Sequence, residues 1–180
     1  MALAHVSPNG VERTFRDDEI IVSKTDLQGR ITYANDVFCR MAAYPEADIL
    51  GQPHSLVRHP EMPRAVFREL WSALKERREI FAYVVNLAGD GTHYWVYAHV
   101  TPSIGPNGEV VGYHSNRRAP SAAGVRAIQP IYRELLAEER KYPKASEAAD
   151  RGAAALRQTL TEAGMTYDEF VWSVTTEAAA

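Results

Sequence analysis

Apolar residues change their spacing several times along this chain, and each change marks an element. Ile20-Ile21-Val22-Ser23-Lys24-Thr25 reads as a strand, Asp26-Leu27-Gln28-Gly29 as a turn and Arg30-Ile31-Thr32-Tyr33-Ala34 as the returning strand of a hairpin. Asn35 or Asp36 then caps a helix whose apolar positions Val37, Phe38, Met41 and Ala42 follow helical spacing, and Pro45 ends it. Glu46 to Leu50 predicts one further helical turn. From Pro63 to about Arg78, the residues Val66, Phe67, Leu70, Trp71 and Leu74 form an apolar stripe, and Arg64, Arg68, Glu69, Lys75 and Glu76 form a solvated face.

Period two then returns. Ile80 to Leu87 predicts a strand, Gly89-Asp90-Gly91 a turn and Thr92 to Pro102 a long strand. In it Tyr94, Val96, Ala98 and Val100 share the core face, and Trp95, Tyr97, His99 and Thr101 the other. Gly105-Pro106-Asn107-Gly108 turns into a last strand from Glu109 to about Arg118. Helical patterns follow over Ala122–Tyr142 and Ser146–Ala163, with a shorter one over Thr166–Val174.

Strands and helices segregated in this order predict an α+β domain, with a five-stranded antiparallel sheet, short helices on one face and a C-terminal helical extension. The expected boundaries are a flexible arm over 1–14, a domain over 15–120 and the extension over 121–180. The outer face carrying Trp95, Tyr97 and His99 is too large and apolar to stay bare, so the arm, the C-terminal helices or a second copy should cover it. The narrow stripe of Ala153, Leu156, Leu160 and Ala163 suits packing on the chain's own domain or a contact between molecules.

A length of 180 residues allows one domain with an appendage, and a formal charge of −3 offers no basic field for nucleic acid or anionic membrane. No apolar run approaches the roughly 20 residues of a membrane span, and the N-terminus lacks the pattern of a secretory signal, so a cytoplasmic location is expected. Cys39 stands alone and cannot form an internal disulfide or a multi-thiolate metal site; its neighbours suggest a buried thiol. No Gly-rich phosphate loop, nucleophile–base pair or spaced metal cluster points to an enzyme.

The chemistry concentrates in Gly51–Pro63, a run holding three prolines, two histidines, Arg58 and Glu61. Prolines at this density forbid a regular helix, so the run predicts a stiff polar loop beside an apolar sheet, the general form of a small-molecule site. Arg58 has the planar fork to hold a phosphate, or alternatively to pair with Glu61. His59 can hydrogen-bond a cofactor or ligate a metal, and His54 is expected to make a structural hydrogen bond. Asn86, in an otherwise apolar strand, needs a partner for its amide.

Several of these segments together, Ile31-Thr32-Tyr33-Ala34-Asn35-Asp36, Gly51-Gln52-Pro53-His54, Val57-Arg58-His59-Pro60-Glu61-Met62-Pro63, Phe67 with Trp71, Tyr94-Trp95-Val96 and Gly112-Tyr113, resemble the PAS family and within it the aerotaxis-receptor branch. The resemblance covers about residues 15–135 and implies noncovalent FAD, whose redox state reports oxygen or electron-transport status to a signalling partner such as a chemotaxis transducer. It implies contacts from Asn35, Arg58, His59, Glu61 (where the family usually has Asp), Phe67, Trp71, Phe81, Asn86 and an inward-facing Ser115. Haem b is the alternative cofactor, with His59, His93 or His114 as axial ligand. A cofactor-free interaction module is the third, its cup filled by Phe67, Trp71, Phe81 and Tyr83. The chain resembles the stand-alone members of this branch, in which pairing through the outer sheet face or the C-terminal helices is expected.

Overall fold

The computed structural model describes residues 6–177. Strands β1 (Ile21–Thr25), β2 (Ile31–Ala34), β3 (Ile80–Leu87), β4 (His93–Ile104) and β5 (Val110–Arg118) form an antiparallel sheet in the order β2-β1-β5-β4-β3. The register sets Ser23 opposite Ser115, Ile21 opposite Arg117, Val100 opposite Ser115 and Ala82 opposite Ala98. Alternation then puts Ser23, Val84, Asn86, Ala98, Ser115 and Arg117 on one inner face.

That face is closed by α1 (Asp36–Ala42), α2 (Glu46–Ile49), a 3-10 turn over His54–Val57 and α3 (Arg64–Lys75). Asn35 is the cap of α1: its side-chain oxygen accepts from the Phe38 and Val22 amides and its nitrogen donates to the Ile20 carbonyl. Phe38, Met41, Ile49, Val57, Met62 and Val66 are buried where these helices meet the sheet, which is the apolar burial that holds helices lacking strong intrinsic stability.

The extension comprises α4 (Ala122–Glu139), α5 (Ala145–Ala163) and α6 (Tyr167–Glu177), of which α4 and α6 lie on the other face. Tyr132 of α4 stacks on Trp95, with ring centroids 6.2 Å apart, and donates its hydroxyl hydrogen to the Tyr83 carbonyl at 2.6 Å. The Tyr83 hydroxyl lies 3.2 Å from Thr175 Oγ1 on α6. The β3–β4 half of the outer face is thus covered by the chain's own helices, and two copies pairing across it would first have to displace them. On α5, Ala153, Leu156 and Leu160 are buried, and the helix packs on α3 and α4.

Residues 9–13 are pinned, in contrast to the flexible arm the pattern suggested. Asn9 donates to the Gly91 carbonyl, Val11 and Arg13 exchange backbone bonds with His93, and Arg13 pairs with Asp90. Residues 1–5 of that arm lie outside the described residues. Among the described residues no helix is long and apolar enough to cross a membrane.

Gly124 brings α4 close to Tyr83 of the sheet. A Cβ there would stand 2.4 Å from the Tyr83 hydroxyl and 2.9 Å from its ring. Gly124→Ala is therefore expected to destabilise the protein by roughly 1–3 kcal/mol through overpacking. An unchanged denaturation midpoint would mean that α4 does not seat on Tyr83.

Candidate functional site

Between the inner sheet face, α3 and the Pro-rich loop lies a cavity of about 320 Å³. Helical spacing aims Phe67, Leu70, Trp71 and Leu74 of α3 at Val84, Ala98 and Val100 of the sheet, giving two apolar walls. At the rim, Trp71 meets Tyr113 edge to face at 5.3 Å, and a Cβ added at Gly29, whose φ of +76° belongs to the β1–β2 turn, would stand 3.5 Å from its ring.

One end is polar. Arg117 is 5% exposed, and its Nη2 donates to Ser23 Oγ at 3.0 Å and to His54 Nε2 at 2.7 Å. Burial, then the neighbouring guanidinium, pushes His54 down to about 3, so its ring is neutral and Nε2 accepts. Burial also pushes Arg117 down to about 10. Arg117 has no carboxylate in ion-pair distance among the described residues, and its Nη1 and Ser115 Oγ are buried without any hydrogen-bond partner. Buried polar groups are nearly always paired, so these two atoms mark a place for a ligand's acceptor. The Asn86 side chain also makes no hydrogen bond to another described residue.

Arg58 also lines the cavity. Its backbone pairs with that of Asn86 across an isolated antiparallel bridge, which ties the loop to β3. Its guanidinium lies 4.6 Å from the Phe67 ring centroid and donates to the Met62 carbonyl at 3.0 Å, rather than pairing with Glu61. Burial first, and then Arg64 beside it, lower its pKa, while Glu139 opposes the shift.

Of the residues expected from sequence, the fold brings Arg58, Phe67, Trp71, Asn86 and Ser115 to this cavity. The other four lie elsewhere. Asn35 is committed to capping α1. His59 turns away from the cavity, accepts from the Glu61 amide at Nδ1 and sits 5.8 Å from the His93 ring, and burial lowers its pKa. Glu61 lines a groove outside the loop with His59 and His93. Phe81 is on the outer face, stacked 4.2 Å from His99. His114 occupies the outer face of β5 between Lys24 and Thr101, so none of His59, His93 and His114 faces the inner cavity.

His54 makes the structural hydrogen bond expected of it, but with partners that sequence reasoning missed, Ser23 and Arg117. The available signal was parity: Arg117 shares the face of Ser115 on one strand.

An inner cavity closed by short helices over a five-stranded antiparallel sheet defines a sensor-type domain, and the chain belongs to the PAS fold family, matching it over residues 19–115. It is 40% identical over 119 residues to the aerotaxis receptor of Escherichia coli, covering 66% of this chain and 23% of the receptor. It is 35% identical over 99 residues to the nitrogen fixation regulatory protein of Klebsiella pneumoniae, covering 55% of this chain and 20% of that protein. The chain therefore spans only about a fifth of the length of these relatives. Among solved structures, a PAS domain from Colwellia psychrerythraea superposes with a TM-score of 0.52 at 25% identity, over 56% of this chain and 85% of that one. A light-oxygen-voltage domain studied with a flavin analogue superposes with a TM-score of 0.55 at 18% identity, over 64% and 86% of the two chains, a likeness of fold.

Proposed function

We propose that this chain is a cytoplasmic sensor that holds FAD noncovalently and reports its redox state, and through it oxygen or electron-transport status, to a signalling partner such as a chemotaxis transducer, without catalytic turnover. The observation that carries this reading is the slot's donor set, in which apolar walls end at two unpartnered donors, Arg117 Nη1 and Ser115 Oγ. A flat heteroaromatic ring with acceptors along one edge satisfies both features. The similarity to the aerotaxis receptor supports the choice of flavin.

Bound there, a flavin supplies a ring whose charge and hydrogen bonding change with its redox state. The protein's part is to register that change. Arg117, a fixed cation in a buried setting, favours negative charge at the ring edge, and its field is little screened there. Asn86 and Ser115 offer groups that both donate and accept, so each can re-pair by an amide or hydroxyl rotation. Asn86 lies three positions along β3 from Tyr83, which α4 and α6 grip through Tyr132 and Thr175. A shift of β3 is thus felt by the extension, which is the two-state element the reading requires.

The purified chain should be yellow, with a flavin absorption band that dithionite bleaches. A Soret band would replace flavin by haem. Protein that stays colourless after exposure to both cofactors would leave only an interaction module.

A further inference from the structure

We propose that the C-terminal extension completes the cofactor site: a groove between the Pro-rich loop and the end of α4 takes the diphosphate and adenosine half of a dinucleotide, with Arg64 and Arg140 as its phosphate-binding side chains. This rests on the flavin reading above and deepens it.

The two spaces adjoin, because Ser55 and Arg58 line both the inner cavity and the groove. Volume divides the ligand between them. The inner cavity, about 320 Å³, stands at the small end of ligand pockets, which run from roughly 300 to 1,000 Å³, and suits a ring system alone. The groove beside it adds about 720 Å³.

Charge identifies which half goes outside. Arg58, Arg64 and Arg140 line the groove, and none is in an ion pair with another described residue. Its one carboxylate, Glu139, has both oxygens engaged, accepting from the Arg64 amide at 3.0 Å and the Ala65 amide at 2.9 Å. Those bonds neutralise the positive end of α3, so the helix terminus is not the anion site. Attraction for phosphate falls to the guanidinium groups, whose forked donors suit it. Leu56, Leu136 and Tyr142 add apolar surface for a base, with Arg151 positioned 5.1 Å from the Tyr142 ring centroid.

Arg140 follows α4, beyond the family match over residues 19–115. In this arrangement, holding the dinucleotide tail also ties down the extension.

The test is to strip flavin from the full chain and titrate it with FAD, FMN and riboflavin. Native protein should prefer FAD over riboflavin, and the preference should shrink as salt screens the exposed guanidinium groups. The double variant Arg64→Gln, Arg140→Gln should lose roughly tenfold or more in FAD affinity, with riboflavin affinity unchanged. Equal losses for both ligands, or no loss for FAD, overturn the groove assignment while the flavin reading stands. A native chain that binds none of the three sinks both.

Discussion

Replacing Arg117 by methionine is expected to move two properties in opposite directions, raising the stability of the flavin-free protein and weakening flavin binding. The guanidinium is buried with no carboxylate in ion-pair distance among the described residues, and its depression to about 10 corresponds to about 3 kcal/mol against the charged form in the folded state. That penalty stands at every pH below about 10 and fades only as the pH rises past it, because folding lowers the affinity for this proton. Methionine of similar length removes the charge and keeps most of the volume. Ser23 Oγ and His54 Nε2, 3.1 Å apart, still pair with each other.

Buried ions replaced by apolar groups are often neutral or stabilising by roughly 1–4 kcal/mol. The expected gain is at the lower part of that range, since the Arg117 guanidinium also packs over the Phe38 ring at 5.6 Å. Flavin affinity should fall roughly tenfold to a hundredfold, the worth of a hydrogen bond to a charged donor. Urea unfolding and flavin titration on the same preparations give both numbers. A less stable variant with undiminished flavin affinity would show that the guanidinium serves the fold and not the ligand.

Glu139→Ala should be the most damaging single change outside the cavity. Pro63 precedes α3 and has no side chain able to cap it, so the helix takes its acceptor from Glu139, 74 and 75 residues away in sequence. Truncation strands the Arg64 and Ala65 amides, the second fully buried, at roughly 1–3 kcal/mol for each unsatisfied donor. The expected total is roughly 2–6 kcal/mol, measured as a fall in the free energy of unfolding. Glu139→Gln keeps one carbonyl acceptor and should lose less. The carboxylate also packs on Gly152, where a Cβ would meet Oε1 at 2.6 Å, so it joins α3, α4 and α5 at one point. If Glu139→Ala unfolds like the native chain, the extension does not hold α3 through this residue.

Much of the site could be read along the chain because it rests on local rules. Phe67 and Trp71 fall on the apolar stripe of an amphipathic helix, and Asn86 and Ser115 stand out as polar groups on alternating strands. Where the reading failed, a local rule had been overlooked or was overruled. Phe81 and Asn86 are separated by an odd number of positions on one strand, so both cannot face the cavity, and the structure gives the inner face to Asn86. Asn35 satisfied a helix cap, which uses up its side chain. His59 stood next to Arg58, but its ring folds back onto the Glu61 amide and leaves the cavity to its neighbour.

The sequence by itself determined the order and type of the elements and the five-stranded architecture, because hydrophobic period and turn chemistry act over a few residues. It also singled out the loop from Gly51 to Pro63, since prolines restrict the backbone wherever they occur. Only the tertiary structure decided that Arg117 would be buried without a counter-ion among the described residues, that His54 and Ser23 would share it across 63 and 94 residues of chain, and that Glu139 would cap α3. Those pairings follow from strand register and helix docking. No local spacing encodes them, because each joins side chains whose positions are set only when distant elements pack.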